Sequence, residues 1–380
     1  DYSSKFFIGQ HKFENIQAIS VKNNNEIFLD QNKYGIIKGF DLIEDKKIFS
    51  QSLFSISNIK KTARNMIEGK IENFLNAPLD SISLADINKC RIKDDIFIYW
   101  GEEPVGKLKK GESIYKPLAD ALNSEYLSSE KKLLISAKLQ KWIDTEILET
   151  LNPLNKNVDN DVNSEIRAIV FNCLENFGNY PIQEFRNSIN KISSESKHQL
   201  SRLGIRIGAK YFFIPNLLKK KPLELCATLW KNFYQIDVDD FLPIPADGRV
   251  SFKSEIKMPS NYWQSIGYIH IKNFSFRIDV FEKIFFIARQ KIKKGPFLES
   301  SDLMNPIGCN SDQLKDIMTF CGFDFVILSD KKKLYFHSNI KKDVKKISTK
   351  KKNKKVNNIK DKKNVKRDPN SPFAVLEKLL

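Results

Sequence analysis

The sequence predicts an α+β fold, mostly helical and multi-domain, with small β-hairpin modules and a disordered basic tail. Three observations predict it. Helical apolar spacing recurs through the middle of the chain, and short apolar runs broken by turn residues fill its start and its last globular part. Near the end, lysine and asparagine displace apolar residues almost completely. At 380 residues, 41% hydrophobic and with 28 Phe, the rest has ample material for two or three cores.

Residues 1–57 read as a small β-rich segment, with "NNNEIFLDQNKYGIIKGFDLI" as a β-meander. Residues 58–160 read as a helical domain with an inserted hairpin. Ile59, Ala63, Met66, Ile71 and Phe74 fall at helical spacing over 58–76, and "DIFIYWGEEPVGKLKKGESIY" gives two strands around a Gly-Glu-Glu-Pro turn. Ser128, Ser129 and Glu130 can cap a long helix with Ile135, Leu139, Trp142, Ile143, Ile147 and Leu151 on its apolar face. The polar run "NPLNKNVDNDVNS" reads as a linker.

Residues 161–245 form a second helical domain carrying a basic and aromatic segment, with helices over 164–177, 181–203 and 222–234, the last opened by Pro222. "DFLPIPADGRVSF" reads as an extended connector. In residues 246–340 the order is helix 279–293, a short extended Pro296-Phe297-Leu298, helix 300–305, a turn at Ile307-Gly308-Cys309, helix 311–320 capped by Asn310 or Ser311, then strands "FDFVIL" and "KLYFHS". That is the order of a winged helix, a helix-turn-helix variant, so this part is expected to be winged-helix-like. An α+β cap without a nucleic-acid role has the same order. "SDQLKDIMTF" carries two Asp against one Lys, which argues against reading base edges. Lys331, Lys332 and Lys333 are the better phosphate contacts.

Charge is spread unevenly. Residues 341–368 hold 14 Lys/Arg against 3 Asp, a net of +11; taken from the whole-chain +17, this leaves +6 for residues 1–340, since residues 369–380 are neutral. Such a basic stretch, Lys350, Lys351, Lys352, Lys354 and Lys355 at its centre, cannot bury enough surface to offset chain entropy and is expected to be a disordered linker to a polyanion. The ending 369–380 is a short apolar motif in which Ser371 and Pro372 can start a helix presenting Phe373, Leu376 and Leu380 to a docking partner. No run is long and apolar enough for a membrane span, so a cytoplasmic protein with no membrane partner is expected.

Catalytic chemistry finds little support. The five Cys and four His are scattered, which favours reduced buried thiols over disulfides or a metal site. "GEEPVGKL", Gly101 to Leu108, nearly matches a phosphate-binding loop, but Leu108 replaces the hydroxyl that reaches magnesium, Glu102 and Glu103 oppose phosphate, and the flanks read strand-turn-strand. "DVDD" lacks the apolar strand of an Asp-Glu-x-x box, and no Gly-x-Ser-x-Gly occurs. No catalytic residue is expected in these residues.

"RLGIRIGAKYFFIPNLLKKKPLELCATLW", Arg202 to Trp230, interleaves Arg202, Arg206, Lys210, Lys219, Lys220 and Lys221 with Tyr211, Phe212 and Phe213. Cations neutralise phosphate and aromatic faces stack bases, a mixture suited to RNA or single-stranded DNA. The aromatics also read as a buried strand, and the basic residues equally as a solvated surface. Gly204 and Gly208 break the preceding helix and permit a close backbone approach.

This stretch resembles a C-terminal segment of bacterial superfamily 2 ATP-dependent (DExH-type) helicases, the alphaproteobacterial relatives of the mitochondrial RNA-degradosome helicase. There, a Gly-Val-Arg-Phe-Gly run leads to an apolar Leu-Pro-x-Leu-Leu-Lys-Pro element and then a Leu-Trp helix; Ile205, Ile207, Lys210 and Lys221 are departures from it or substitutions of the same kind. "DIFIYWGEEPVGKLKKGESIYKP" looks like the family's Trp-x-Gly-x-x-Val-Ala-x-Leu hairpin. "GRVSF" and "NPIGCNSDQLKDIMTFCGF" are similar to later segments, and "DPNSPFAVLEKL" resembles the family's close. The likeness runs from about residue 58 onward. It implies an ATP- and magnesium-dependent parent whose motor domains would precede Asp1, with this chain as its accessory nucleic-acid-binding part and RNA-degradation proteins as partners. The start on Asp1 rather than Met agrees with a fragment or processed product. A stand-alone RNA-binding or ribosome-associated protein, and a scaffold recruiting partners through its tail, are the alternatives.

Overall fold

The structure, a computed structural model, describes residues 19–23, 25–29, 32–45, 53–84, 96–152, 164–185, 192–236, 243–329 and 331–337. It mixes helices with small antiparallel sheets, the α+β class expected. The chain divides into two compact units, Asp1–Asn152 with Ala227–Leu242, and Pro153–Cys226 with Pro243–Leu380.

In the first unit, β1 (Ile19–Lys22), β2 (Glu26–Leu29), β3 (Asn32–Lys38) and β4 (Asp41–Glu44) form a meander in chain order. Helix α1 (Leu53–Asn76) starts five residues before the expected Asn58 and buries Ile59, Ala63, Ile67, Ile71 and Phe74. Met66, expected on that face, is half-buried, and the neighbouring Ile67 takes the core position. A second sheet follows in the order β5 (Ile82–Leu84), β6 (Phe97–Trp100), β7 (Glu103–Ser113), β8 (Lys116–Ala121). Helix α2 (Ser129–Thr150) is capped by Ser128, whose hydroxyl accepts the Lys131 N–H at 3.2 Å, and it buries all the apolar residues expected of it.

Two side chains lock these layers together. The Glu103 carboxylate accepts from Lys70 Nζ at 2.9 Å, Asn25 Nδ2 at 2.7 Å and the Gly39 N–H at 3.1 Å, so one anion joins meander, helix and hairpin. Lys138, on α2, donates to the carbonyls of Phe74 (2.6 Å), Leu75 (3.0 Å) and Ala77 at the end of α1. These are carbonyls a helix terminus leaves unmet, where a cation also complements the macrodipole.

The second unit opens with α3 (Ser164–Glu175). The single helix expected over 181–203 is absent: β9 (Asn179–Pro181) and a 3-10 turn (Ile182–Phe185) precede α4 (Ser194–Arg202). Phe177 and Gly178 turn left-handed after α3, and β9 then pairs with β11 (Tyr211–Phe213) in a sheet ordered β10 (Arg206–Ile207), β11, β9. Pro181 is tolerated because β9 is an edge strand. Helix α5 (Lys220–Tyr234) begins two residues before Pro222, which sits in the first turn, where a missing N–H is harmless. Beyond Ala227 it belongs to the first unit, where Asn232 Nδ2 donates to the Lys109 carbonyl at 3.0 Å.

The connector leads to β12 (Ser251–Lys253), α6 (Ser260–Ser265), β13 (Tyr268–Ile271) and β14 (Phe274–Arg277), in the sheet order β12-β14-β13. Next come α7 (Ile278–Lys293), β15 (Phe297–Leu298), α8 (Ser301–Met304), α9 (Ser311–Phe320), β16 (Phe323–Ile327) and β17 (Lys333–His337). Their sheet runs β15-β17-β16. Asn310 caps α9 in a capping box: its Oδ1 accepts the Gln313 N–H at 2.8 Å, and Gln313 Oε1 accepts the Asn310 N–H at 2.9 Å. The core is aromatic, with Phe276, Phe281 and Tyr335 fully buried among Ile284, Leu303, Leu314 and Met318.

One buried anion holds α7 to the β10–β11 turn. Glu282 is 6% exposed, and its carboxylate accepts three consecutive backbone N–H groups, from Ala209, Lys210 (2.9 Å) and Tyr211 (2.7 Å). Gly208 makes room for it, since a Cβ there would lie 2.4 Å from the Glu282 carboxyl carbon and 2.7 Å from the Tyr211 carbonyl oxygen. Burial pushes the Glu282 carboxyl above its usual value of 4.5, and the three N–H bonds oppose that shift. A folded-state value above the unfolded one means the folded chain binds more protons in that window, so this group's stabilisation is full below about 4.5 and declines as pH rises through the raised value. Glu282→Gln replaces one acceptor with a donor facing an N–H, and the expected loss is about 1–3 kcal/mol. In denaturant titrations the wild-type advantage over Glu282→Gln shrinks as pH is raised from 4; a pH-independent difference contradicts this.

Candidate nucleic-acid interface

The Arg202–Trp230 stretch divides into core and surface. Phe212, Phe213 and Ile214 are buried in the second unit, so these aromatics pack a core strand and offer no stacking platform. Lys210, expected on nucleic acid, is committed inside the unit. Its ammonium donates to the Phe320 carbonyl at 3.1 Å, at the C-terminus of α9, and lies 5.4 and 5.3 Å from the ring centres of Phe285 and Phe320. Arg202, Arg206, Lys219, Lys220 and Lys221 are exposed, and Lys220 lies 4.0 Å from Glu224 on its own helix.

The hairpin lysines divide as well. Lys331 and Lys332 are exposed, Lys331 in the left-handed conformation of the turn. Lys333 is 7% exposed, and its ammonium donates to Ser311 Oγ at 2.6 Å and to Asp312 Oδ1 at 3.0 Å. That pairing pulls it off the surface and holds the Asp312 carboxyl below its usual value. The other acid of α9, Asp316, pairs with Lys272 at 2.8 Å. Lys350, Lys351, Lys352, Lys354, Lys355, Phe373, Leu376 and Leu380 lie outside the described residues.

What sequence reasoning missed is a groove in the second unit, along the connector and β12. Its volume is 470 Å³, and its walls are Pro245, Arg249, Phe252 and Lys253 with Phe274, Gly308 and Gln313. Arg249 and Lys253 are exposed cations, and no carboxylate lines the groove. Arg249 donates through Nε to the Ser251 carbonyl at 3.1 Å, which orients the guanidinium without neutralising it. Half-buried Phe252 is braced edge-on by Tyr268 at 5.6 Å. A smaller hollow shares Pro245, Ala246 and Arg249 and adds Lys220 and Arg277, together with Glu224 and Asp247. Lys220 is thus the sequence candidate that the fold brings beside Arg249. Arg277 is spent on a two-pronged pair with Asp279, at 2.7 and 3.0 Å. The sequence signal for the groove was "GRVSF", which carried a resemblance but no stated contact.

The buried thiols and His270 are placed for packing. Burial pushes the thiols of Cys173 and Cys321 up to about 12 and that of Cys309 to about 11, too high for a nucleophile. His270 stacks on Trp263 at 4.4 Å and shares a 2.8 Å hydrogen bond with Ser275, the partners of a packed ring. Gly101–Leu108 does not fit a nucleotide: it is a turn entering β7, Glu103 is fully engaged, and Leu108 is 1% exposed. Among the described residues no group of three or more His, Cys, Asp and Glu is placed to hold a metal, and no helix is long and apolar enough to cross a membrane. Comparison with known proteins gives no matching family model, no matching curated protein and no matching solved structure.

The hairpin geometry separates two kinds of lysine. Lys333→Gln leaves Ser311 and Asp312 without their cation and is expected to cost about 1–3 kcal/mol, whereas Lys331→Gln stays within about 0.5 kcal/mol of wild type. Urea titrations of the two variants decide it; equal midpoints contradict the assignment.

Proposed function

We propose that this chain is the accessory nucleic-acid-binding part of an ATP-dependent superfamily 2 helicase, non-catalytic by itself, and that its groove receives a single strand of RNA. The observation that carries the binding reading is the groove: 470 Å³, two cations, an aromatic wall and no carboxylate. A volume of this size suits one nucleotide unit, phosphate against Arg249 and Lys253, base against Phe252. The helicase context rests on the resemblance of the hairpin, the Arg202–Trp230 stretch, "GRVSF", "NPIGC" and the final motif. ATP and magnesium then belong to motor domains in the parent, and RNA-degradation proteins are the partners the resemblance implies.

The order α7, β15, α8, α9, β16, β17 supports reading residues 278–337 as winged-helix-like, with Lys331 and Lys332 on the wing. Helix α9 has a single cation, Lys315, 4.0 Å from Asp312, and its acids take up Lys272 and Lys333, so it has little positive charge to offer phosphate. The wing and groove therefore carry the contact, and contact with phosphate leaves sequence unread. The basic tail adds a salt-dependent attraction of its own.

Replacing Arg249 and Lys253 together by Gln is expected to weaken binding of single-stranded oligouridylate and to lower the slope of log affinity against log salt by about 1.4, two contacts at about 0.7 each. Fluorescence anisotropy over a salt series measures both; an unchanged slope removes the groove from the interface. The purified chain is expected to hydrolyse no ATP, with or without RNA. Turnover abolished by Lys107→Ala contradicts the non-catalytic reading.

A further inference from the structure

Helix α7 shows a second face that neither the groove nor the hairpin uses. Lys283, Phe286, Arg289, Gln290 and Lys293 are all exposed, and at three and four residues apart they share one side of the helix. The opposite side carries Phe281, Glu282, Ile284, Phe285 and Ala288 into the core. None of Lys283, Arg289 and Lys293 has an ion-pair partner among the described residues, whereas neighbouring Lys291 pairs with Asp302 at 2.9 Å.

Folding alone explains this face poorly. Cations in the last turn complement the helix macrodipole, which accounts for Lys293. It does not reach Lys283, in the second turn of the helix. Phe286 is 57% exposed at its centre, and phenylalanine is a weaker helix former than the leucine or lysine that would serve there. The two cations at the ends of the stripe stand about 15 Å apart along the helix axis, with an aromatic face and a guanidinium between them and no acid. That is charge complementarity to a polyanion whose units carry flat faces.

We infer that this face of α7 binds single-stranded nucleic acid, with Phe286 stacking a base while Lys283, Arg289 and Lys293 meet phosphates. The inference rests on the reading of the chain as a nucleic-acid binder and extends it to a surface outside the groove. Continuity supports the same strand serving both: Arg277, which lines the small hollow beside Arg249, is the residue immediately before α7.

The test uses the full chain and an oligouridylate carrying 4-thiouridine. Ultraviolet cross-linking is expected to mark the peptide between Lys283 and Arg289, and Phe286→Ala is expected to abolish that mark and weaken binding about fivefold or more. Phe286→Tyr keeps the stacking face and is expected to retain both. Lys283→Gln with Lys293→Gln is expected to lower the salt slope by about 1.4, and an unchanged slope removes these lysines from the interface. All three positions, Lys283, Phe286 and Lys293, are exposed, so the variants are expected to fold, and matched melting curves verify it. Unchanged affinity and cross-links in Phe286→Ala, with weakened binding in the Arg249→Gln, Lys253→Gln protein, overturn the α7 face and spare the groove. Loss only in the α7 variants does the reverse. Capture of polyglutamate in preference to RNA, lost with Phe286→Ala, assigns the face to an acidic protein segment and overturns the proposal.

Discussion

The second unit depends on a buried carboxylate met by three backbone N–H groups. Glu282 on α7 is desolvated, which on its own costs several kcal/mol, and the consecutive amides of Ala209, Lys210 and Tyr211 offset part of it. The consequences spread along the chain. Gly208 is required by the approach, β11 is fixed against α7, and Tyr211 packs edge-on against Phe281 at 6.1 Å. Lys210, positioned by the same turn, closes the end of α9. The stretch richest in cations and aromatic rings is therefore a structural seam, and the surfaces left for a ligand lie elsewhere.

That seam explains why the chemistry was only partly legible in the sequence. Local signals read well: the Ser128 cap, the Asn310 capping box, the β1–β4 meander and the elements of 278–337 follow from spacing and turn residues within a few positions. Glu282 did not, because its partners lie 71 to 73 residues away and an acid in an amphipathic helix looks like a solvated one. Lys210 and Lys333 failed for the same reason in reverse. A lysine reads as surface until a distant carbonyl or carboxylate claims it. The helix expected over 181–203 was lost to pairing of Tyr180 and Pro181 with β11, a tertiary contact that local propensity does not record.

The groove was hidden by a different cause. Arg249 stands on the connector and Lys253 on β12, and their neighbours Gly308 and Gln313 arrive from the turn before α9 and from its first turn, more than fifty residues on. Ser251, whose hydroxyl donates to the Ile307 carbonyl, ties the two segments together. The α7 face was hidden less by distance than by expectation: a periodic apolar pattern directs attention to the buried side.

In the proposed arrangement the strand lies on the connector, β12 and α7, with 206–214 as scaffold. Hydrogen–deuterium exchange on the full chain, with and without single-stranded RNA, tests this most directly, because the amides of 209–211 are already bonded to Glu282. The predicted result is RNA-dependent protection over 249–253 and along α7, with 206–214 unchanged. Protection of 206–214 with none over 249–253 or 283–293 would contradict it.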